Sequence, residues 1–146
     1  MIINKDFKEF LELLNKNQVK YLIVGGYAVA FHGHPRYTKD IDIWILMEKS
    51  NAENILKTLV EFGFSDLGIT EGDLVSPEVV IQLGYPPNRI DLITEVSGLT
   101  FKDCYEKRVI VDVEGVKINF IDLESLKKNK KSSGRHQDLA DLESLE

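Results

Sequence analysis

The stretch TKDIDIWI, residues 38–45, places Asp40 and Asp42 in alternation with Ile41, Ile43 and Ile45. In an extended strand such alternation points both acids to one face and the isoleucines to the other. Two neighbouring carboxylates repel, and removing either from water is costly. The chain must therefore fold so that the isoleucine face lies on a core while the acid face meets something that compensates negative charge. Trp44, just beyond the acids, is expected on the isoleucine side, as a core residue.

The rest of the chain reads as one α+β domain over residues 1–146, a mixed sheet of about five strands packed against helices. At 146 residues with 43% hydrophobic and 29% charged side chains, it can bury a core without disulfides or a structural metal. Phe7, Phe10, Leu11 and Leu14 stand at helical spacing near the N-terminus. The apolar run VKYLIVGG reads as an interior strand ending in a glycine pair, and YAVAFHG as a short helix stopping near Gly33. Ser50 and Glu53 form the pattern of a capping box ahead of Ile55, Leu56, Leu59 and Phe62. EVVIQLG and NRIDLITEV are expected to pair antiparallel, and KRVIVDVEGVKINFID to form a hairpin turning at Glu114-Gly115. The tail, residues 122–146, is expected to be helical with a break around residues 132–134 and to pack on the same domain.

Asp91 interrupts a second apolar run, Ile90, Leu92 and Ile93. Aspartate is among the least favoured strand residues, so a third strand acid calls for a reason. One alternative is a plain ion pair with Arg89 at a strand end. The other is a magnesium site. Hard oxygen ligands converging on one point suit Mg2+, and a second ion roughly 3.5–4 Å away would let the site hold both oxygens of an in-line phosphoryl transfer. Three strand acids together favour the metal site. The Gly25-Gly26 pair between strand and helix lets backbone N–H groups approach an anion closely, although neither a Walker A loop nor a GxGxxG pattern occurs in the chain.

Taken together, GGYAVAFHGHPRYTKDIDIWI, YPPNRIDLITEVSGLTF and NKKSSGRHQDLADLESL resemble the DNA polymerase β-like nucleotidyltransferase superfamily, and within it the small AbiEii-type and minimal nucleotidyltransferases. The resemblance covers about residue 20 to the end. It implies a nucleotidyltransferase fold and transfer of a nucleoside monophosphate from an NTP to an acceptor hydroxyl, with release of pyrophosphate. On that basis Gly25 and Gly26 would hold the triphosphate of the NTP substrate. Asp40, Asp42 and Asp91 would bind two Mg2+ ions, with Asp91 the candidate base. Lys130 and Arg135 would contact phosphates or the acceptor, and Asp138 would orient one of them. The plainer reading of these tail residues is a solvated helix face, strongest for Lys130 amid four other basic residues. The acceptor could be an RNA end such as that of a tRNA, a partner protein or a small molecule such as an aminoglycoside. A toxin–antitoxin role, with a non-catalytic, antitoxin-like binding protein as the alternative to an enzyme, also comes from the resemblance alone.

Several residues and classes are narrowed further. Arg36 and Lys39 could neutralise a γ-phosphate or pyrophosphate, and Thr38 could hydrogen-bond it. His32 and His34 lack zinc-ligand spacing and further ligands. A net charge of −6 argues against broad nucleic-acid binding, while residues 126–136 carry five of the eighteen Lys and Arg residues and leave a short RNA end open. No membrane span or signal profile is evident, and the lone Cys104 fits a cytoplasmic chain and a small, semi-buried structural role.

Overall fold

The computed structural model describes residues 3–33 and 39–145. Among these residues seven α-helices and six strands follow in the order α1 (Lys5–Lys16), β1 (Tyr21–Val24), α2 (Gly25–His32), β2 (Ile41–Ile45), α3 (Lys49–Phe62), α4 (Glu71–Leu74), β3 (Val80–Leu83), β4 (Ile90–Ile93), α5 (Phe101–Glu106), β5 (Val109–Val113), β6 (Val116–Phe120), α6 (Leu123–Ser133) and α7 (His136–Leu145). The strands form one mixed sheet in the order β3-β4-β2-β1-β6-β5. The α+β expectation holds, with six strands in place of about five.

Hairpins supply the local pairings. Strands β3 and β4 run antiparallel around the turn at residues 84–89, and β5 and β6 turn at Glu114 and Gly115. Both turn residues have positive φ, 51° and 86°, the backbone that a two-residue hairpin with right-handed twist requires. The pairings that assemble the centre are non-local. Strand β2 lies antiparallel to β1 and parallel to β4, which brings Asp42 opposite Asp91.

Each face of the sheet has its own cover. On the isoleucine face, Ile41, Ile43 and Ile45 are fully buried. Tyr21, their cross-strand neighbour, reaches Asn15 of α1 with its hydroxyl (3.0 Å), and α1 meets α3 through the edge-to-face pair Phe10–Phe62. Asp42 and Trp44 share the opposite face, since residues two apart on a strand point the same way. Trp44 is indeed core, but on the acids' side, contrary to expectation. Its ring packs edge-on to Phe101 of α5 at 5.2 Å, and Nε1 donates to the Thr94 carbonyl. That apolar ring packs on the same face just beyond the acids.

The expected capping box at Ser50 and Glu53 does not form. Helix α3 begins at Lys49 after Glu48, which caps with no side-chain bond, so Ser50 already lies inside the first turn. Tertiary structure fixes this start. Buried Asn51 accepts from the Lys20 amide (2.7 Å) and donates to the carbonyls of Lys20 (3.1 Å) and Leu46 (3.0 Å). One amide thereby joins the start of β1, the end of β2 and the helix. Cys104 is fully buried rather than semi-buried. Among the described residues no helix is long and apolar enough to cross a membrane.

Replacing Asn51 by Ala removes three hydrogen bonds and leaves the Lys20 N–H without its acceptor, while the carbonyls of Lys20 and Leu46 keep their bonds from the amides of Leu46 and Glu48. The substitution is expected to lower unfolding free energy by about 2–3 kcal/mol, read as a lower urea midpoint with an unchanged m-value.

Candidate active site

Two chain segments carry the acids. Asp40 immediately precedes β2, Asp42 is the second residue of β2, and Asp91 is the second residue of β4. The Ile41 amide donates to the Arg89 carbonyl at 3.1 Å, so the parallel pairing continues just past the strand ends and sets Asp40 beside the approach to Asp91. Asp91 is buried at 6% exposure, in the sheet interior rather than at a strand end.

Gly25 closes the site from the third side. It follows β1 directly and opens α2 with φ +66°, a conformation side chains rarely adopt. A Cβ built there would collide with the Asp42 carboxylate and lie 2.9 Å from its Cγ. Glycine here lets the start of a helix stand directly against an acid. The start of a helix, whose first amides lack intrahelical acceptors, thus stands beside Asp42, as a phosphate-and-cation site requires.

The electrostatics match this crowding. Burial pushes the Asp42 carboxyl up to about 6, and the neighbouring charges of Asp91 and Asp40, with a hydrogen bond to Asp91, add to the shift. Lys130 acts the other way across space. Arg89 sets its fork on Asp91, Nε to Oδ1 at 2.8 Å and Nη2 to Oδ2 at 3.0 Å, and Nη2 also reaches Asp40 Oδ2 at 2.8 Å. The ion pair set out as the alternative for Asp91 is therefore present, alongside the clustering of acids that the metal reading required. Asp40 Oδ1 is buried and has no hydrogen-bond partner among the described residues.

A divalent cation fits the chemistry of these donors. They are hard carboxylate oxygens, one of them unpartnered, around an acid whose ionisation a cation would ease. Among the described residues no three His, Cys, Asp or Glu side chains are already converged as a metal cluster. Arg89 engages both oxygens of Asp91 and so shares with any cation the lone pairs that would coordinate it.

The tail residues form a second ionic centre. Lys130 is buried, not solvated, which overturns the surface reading for this residue, while the other basic residues of the run stay exposed or half-exposed. Its Nζ lies 3.2 Å from both Asp138 Oδ1 and Asp141 Oδ2. Asp138, 1% exposed, also accepts from Ser133 Oγ (2.6 Å) and Arg135 Nε (2.7 Å). Burial alone would raise the Asp138 carboxyl, but the bonds from Arg135, Ser133 and Lys130 hold it well below the usual carboxylate range. The Arg135 side chain remains mostly exposed and feels the charge of Asp42. Asp141 escaped the sequence reading, although Asp138, Asp141 and Leu145 stand at the helical spacing of a buried face.

The remaining predicted residues divide simply. Gly26 lies in the first turn of α2 beside Gly25, and Lys39 is exposed next to Asp40. Arg36, Thr38 and His34 lie outside the described residues. His32 donates from Nε2 to the Ile121 carbonyl at 2.6 Å, a structural role.

Two outcomes are expected from these charges. The Asp42 carboxyl sits higher in the folded chain than its ordinary 3.8, so the native state binds the extra proton between about pH 4 and 6. Folding stability of chelator-treated protein should therefore fall as pH rises through that window and level off above it, by on the order of 2 kcal/mol relative to Asp42→Asn. Thermal unfolding of both proteins across pH 4–7 measures this. Lys130→Met leaves Asp138 and Asp141 buried together without their ammonium, and a loss of about 3–5 kcal/mol is expected in urea unfolding.

Comparison with known proteins gives the same architecture. The chain superposes on a candidate nucleotidyltransferase (TM1012) of Thermotoga maritima with a TM-score of 0.63 and 18% identity, covering 94% of this chain and 88% of that one. It also superposes on an antigenic nucleotidyltransferase-like protein of Paracoccidioides brasiliensis (TM-score 0.56, 18% identity, 94% and 72% covered). A third similar structure is the lincosamide antibiotic adenylyltransferase LnuA bound to lincomycin (TM-score 0.57, 13% identity, 99% and 96% covered). No curated protein matches the sequence. Residues 3–146 match the model of a family described as "Nucleotidyltransferase of unknown function (DUF6036)", and the chain belongs to that family.

Proposed function

We propose that this protein transfers a nucleoside monophosphate from an NTP to an acceptor hydroxyl and releases pyrophosphate. One observation carries the reading: Asp42 lies opposite Asp91 on the neighbouring strand, Arg89 ties Asp91 to Asp40, and Asp42 stands against a helix start that glycine alone can bring so close. Asp40, Asp42 and Asp91 would hold Mg2+, which when bound supplies positive charge to the phosphoryl oxygens and the leaving group. The helix start at Gly25 and Gly26 donates backbone amides to the triphosphate. Asp91 accepts the proton of the attacking hydroxyl. The acceptor oxygen then bonds to the α-phosphorus as the bond to the β-phosphate oxygen breaks, and pyrophosphate departs. Arg135, exposed and within the field of Asp42, would meet a phosphate or the acceptor, while Lys130 and Asp138 hold its helix in position.

A small-molecule hydroxyl is the acceptor class we put first. LnuA, a lincosamide antibiotic adenylyltransferase with lincomycin bound, shares this fold over 96% of its length, which supports a small-molecule acceptor. A contact-only role for the same fold has one observation in its favour: Arg89 already compensates two of the acids without any cation.

Calorimetric titration with each NTP, with and without Mg2+, decides between them. Magnesium-dependent binding of at least one NTP is expected, lost in Asp42→Asn, with transfer to an acceptor falling at least about a hundredfold in that variant. Absence of NTP binding by folded protein would overturn the enzymatic reading and leave the contact-only one.

A further inference from the structure

The residue at the centre of the acid cluster is a cation of the chain itself. Arg89 approaches along the segment leading into β4, and its carbonyl is fixed by the Ile41 amide, so its side chain is delivered beside Asp40 and Asp91 at once. The guanidinium engages both oxygens of Asp91 and one of Asp40, and its side chain is only 23% exposed. A planar fork on a carboxylate is the strongest geometry this pair of groups offers. Asp40 Oδ1, buried and unpartnered among the described residues, marks the coordination that the fork cannot supply.

We propose that Arg89 is a built-in competitor for the divalent cation: it holds Asp40 and Asp91 together in the metal-free protein and must release Asp91 for the cation to bind. This rests on the reading of the three acids as a metal site. Three consequences follow from the geometry. Free cation binds weakly, because each binding event breaks a two-pronged ion pair. Arginine stays charged across the working pH range, so a competing cation, not a proton, opens the latch. Once released, the fork is left beside the site with its donors directed at nothing, ready for phosphate oxygens, which it suits as well as carboxylate.

Mn2+ binding, followed by electron paramagnetic resonance on wild type, Arg89→Met and Asp42→Asn, tests the proposal, with Arg89→Met checked for folding by circular dichroism. The expected result is about tenfold tighter Mn2+ binding in Arg89→Met than in wild type, and none in Asp42→Asn. Equal or weaker binding in Arg89→Met, with binding still abolished in Asp42→Asn, would overturn the latch and leave the metal site standing. Mn2+ binding that is absent from wild type and Arg89→Met, or unaffected by Asp42→Asn, would overturn the metal site and the latch with it. A measurement on wild type alone removes dependence on the variant's folding. The Nε–H resonance of Arg89 in 15N-labelled protein is expected to shift and lose exchange protection on Mg2+ addition. Its persistence unchanged at a Mg2+ concentration that saturates the site would overturn the latch.

Discussion

Asp42 and Asp91 stand opposite one another on adjacent parallel strands, and two carboxylates at that separation in a part-buried sheet repel strongly because little water screens them. The surrounding structure is arranged around that repulsion. A guanidinium bridges Asp91 and Asp40, a proton is drawn toward Asp42, and an ammonium on α6 lies within electrostatic reach. A fold seeking stability alone would place isoleucine or valine at both positions. Retaining the acids costs stability, and the cost is explained if a cation is to be received there.

The two basic centres differ in kind. Arg89 is close to the acids in sequence and touches them directly. Lys130 is distant in sequence, and its direct partners are Asp138 and Asp141, not the strand acids. A buried triad of this sort adds little net stability over an apolar packing, but it fixes which side chains can sit there. Its effect is to seat α7 on α6 in one register and to aim Arg135 outward from the junction.

The sequence made the acids legible because they break a rule: aspartate in an apolar run is disfavoured unless something compensates it. Hairpins were legible for the same local reason, as at Glu114-Gly115, where the turn chemistry specifies the backbone. What could not be read was set at a distance. Trp44 is the exception: it reads as one residue past the acids' alternation, although it shares parity with Asp40 and Asp42, and Phe101 supplies the apolar partner that suits a ring on the acids' face. Ser50 and Glu53 spelled a helix start, but Asn51, bonded across to β1 and β2, fixes the helix one residue upstream of Ser50. Lys130 looked solvated because its sequence neighbours are. Its burial depends on two acids eight and eleven residues further on, which cover it only once the chain has turned at Gly134.

The buried ion triad also makes α7 a mechanical element. A helix held by dispersion alone can slide by fractions of a turn at small cost, whereas one whose acids clasp a buried ammonium is held stiffly until the clasp opens. The same ammonium is felt at Asp42, so the seating of α7 on α6 bears on the electrostatics of the sheet acids as well as on the packing of the tail.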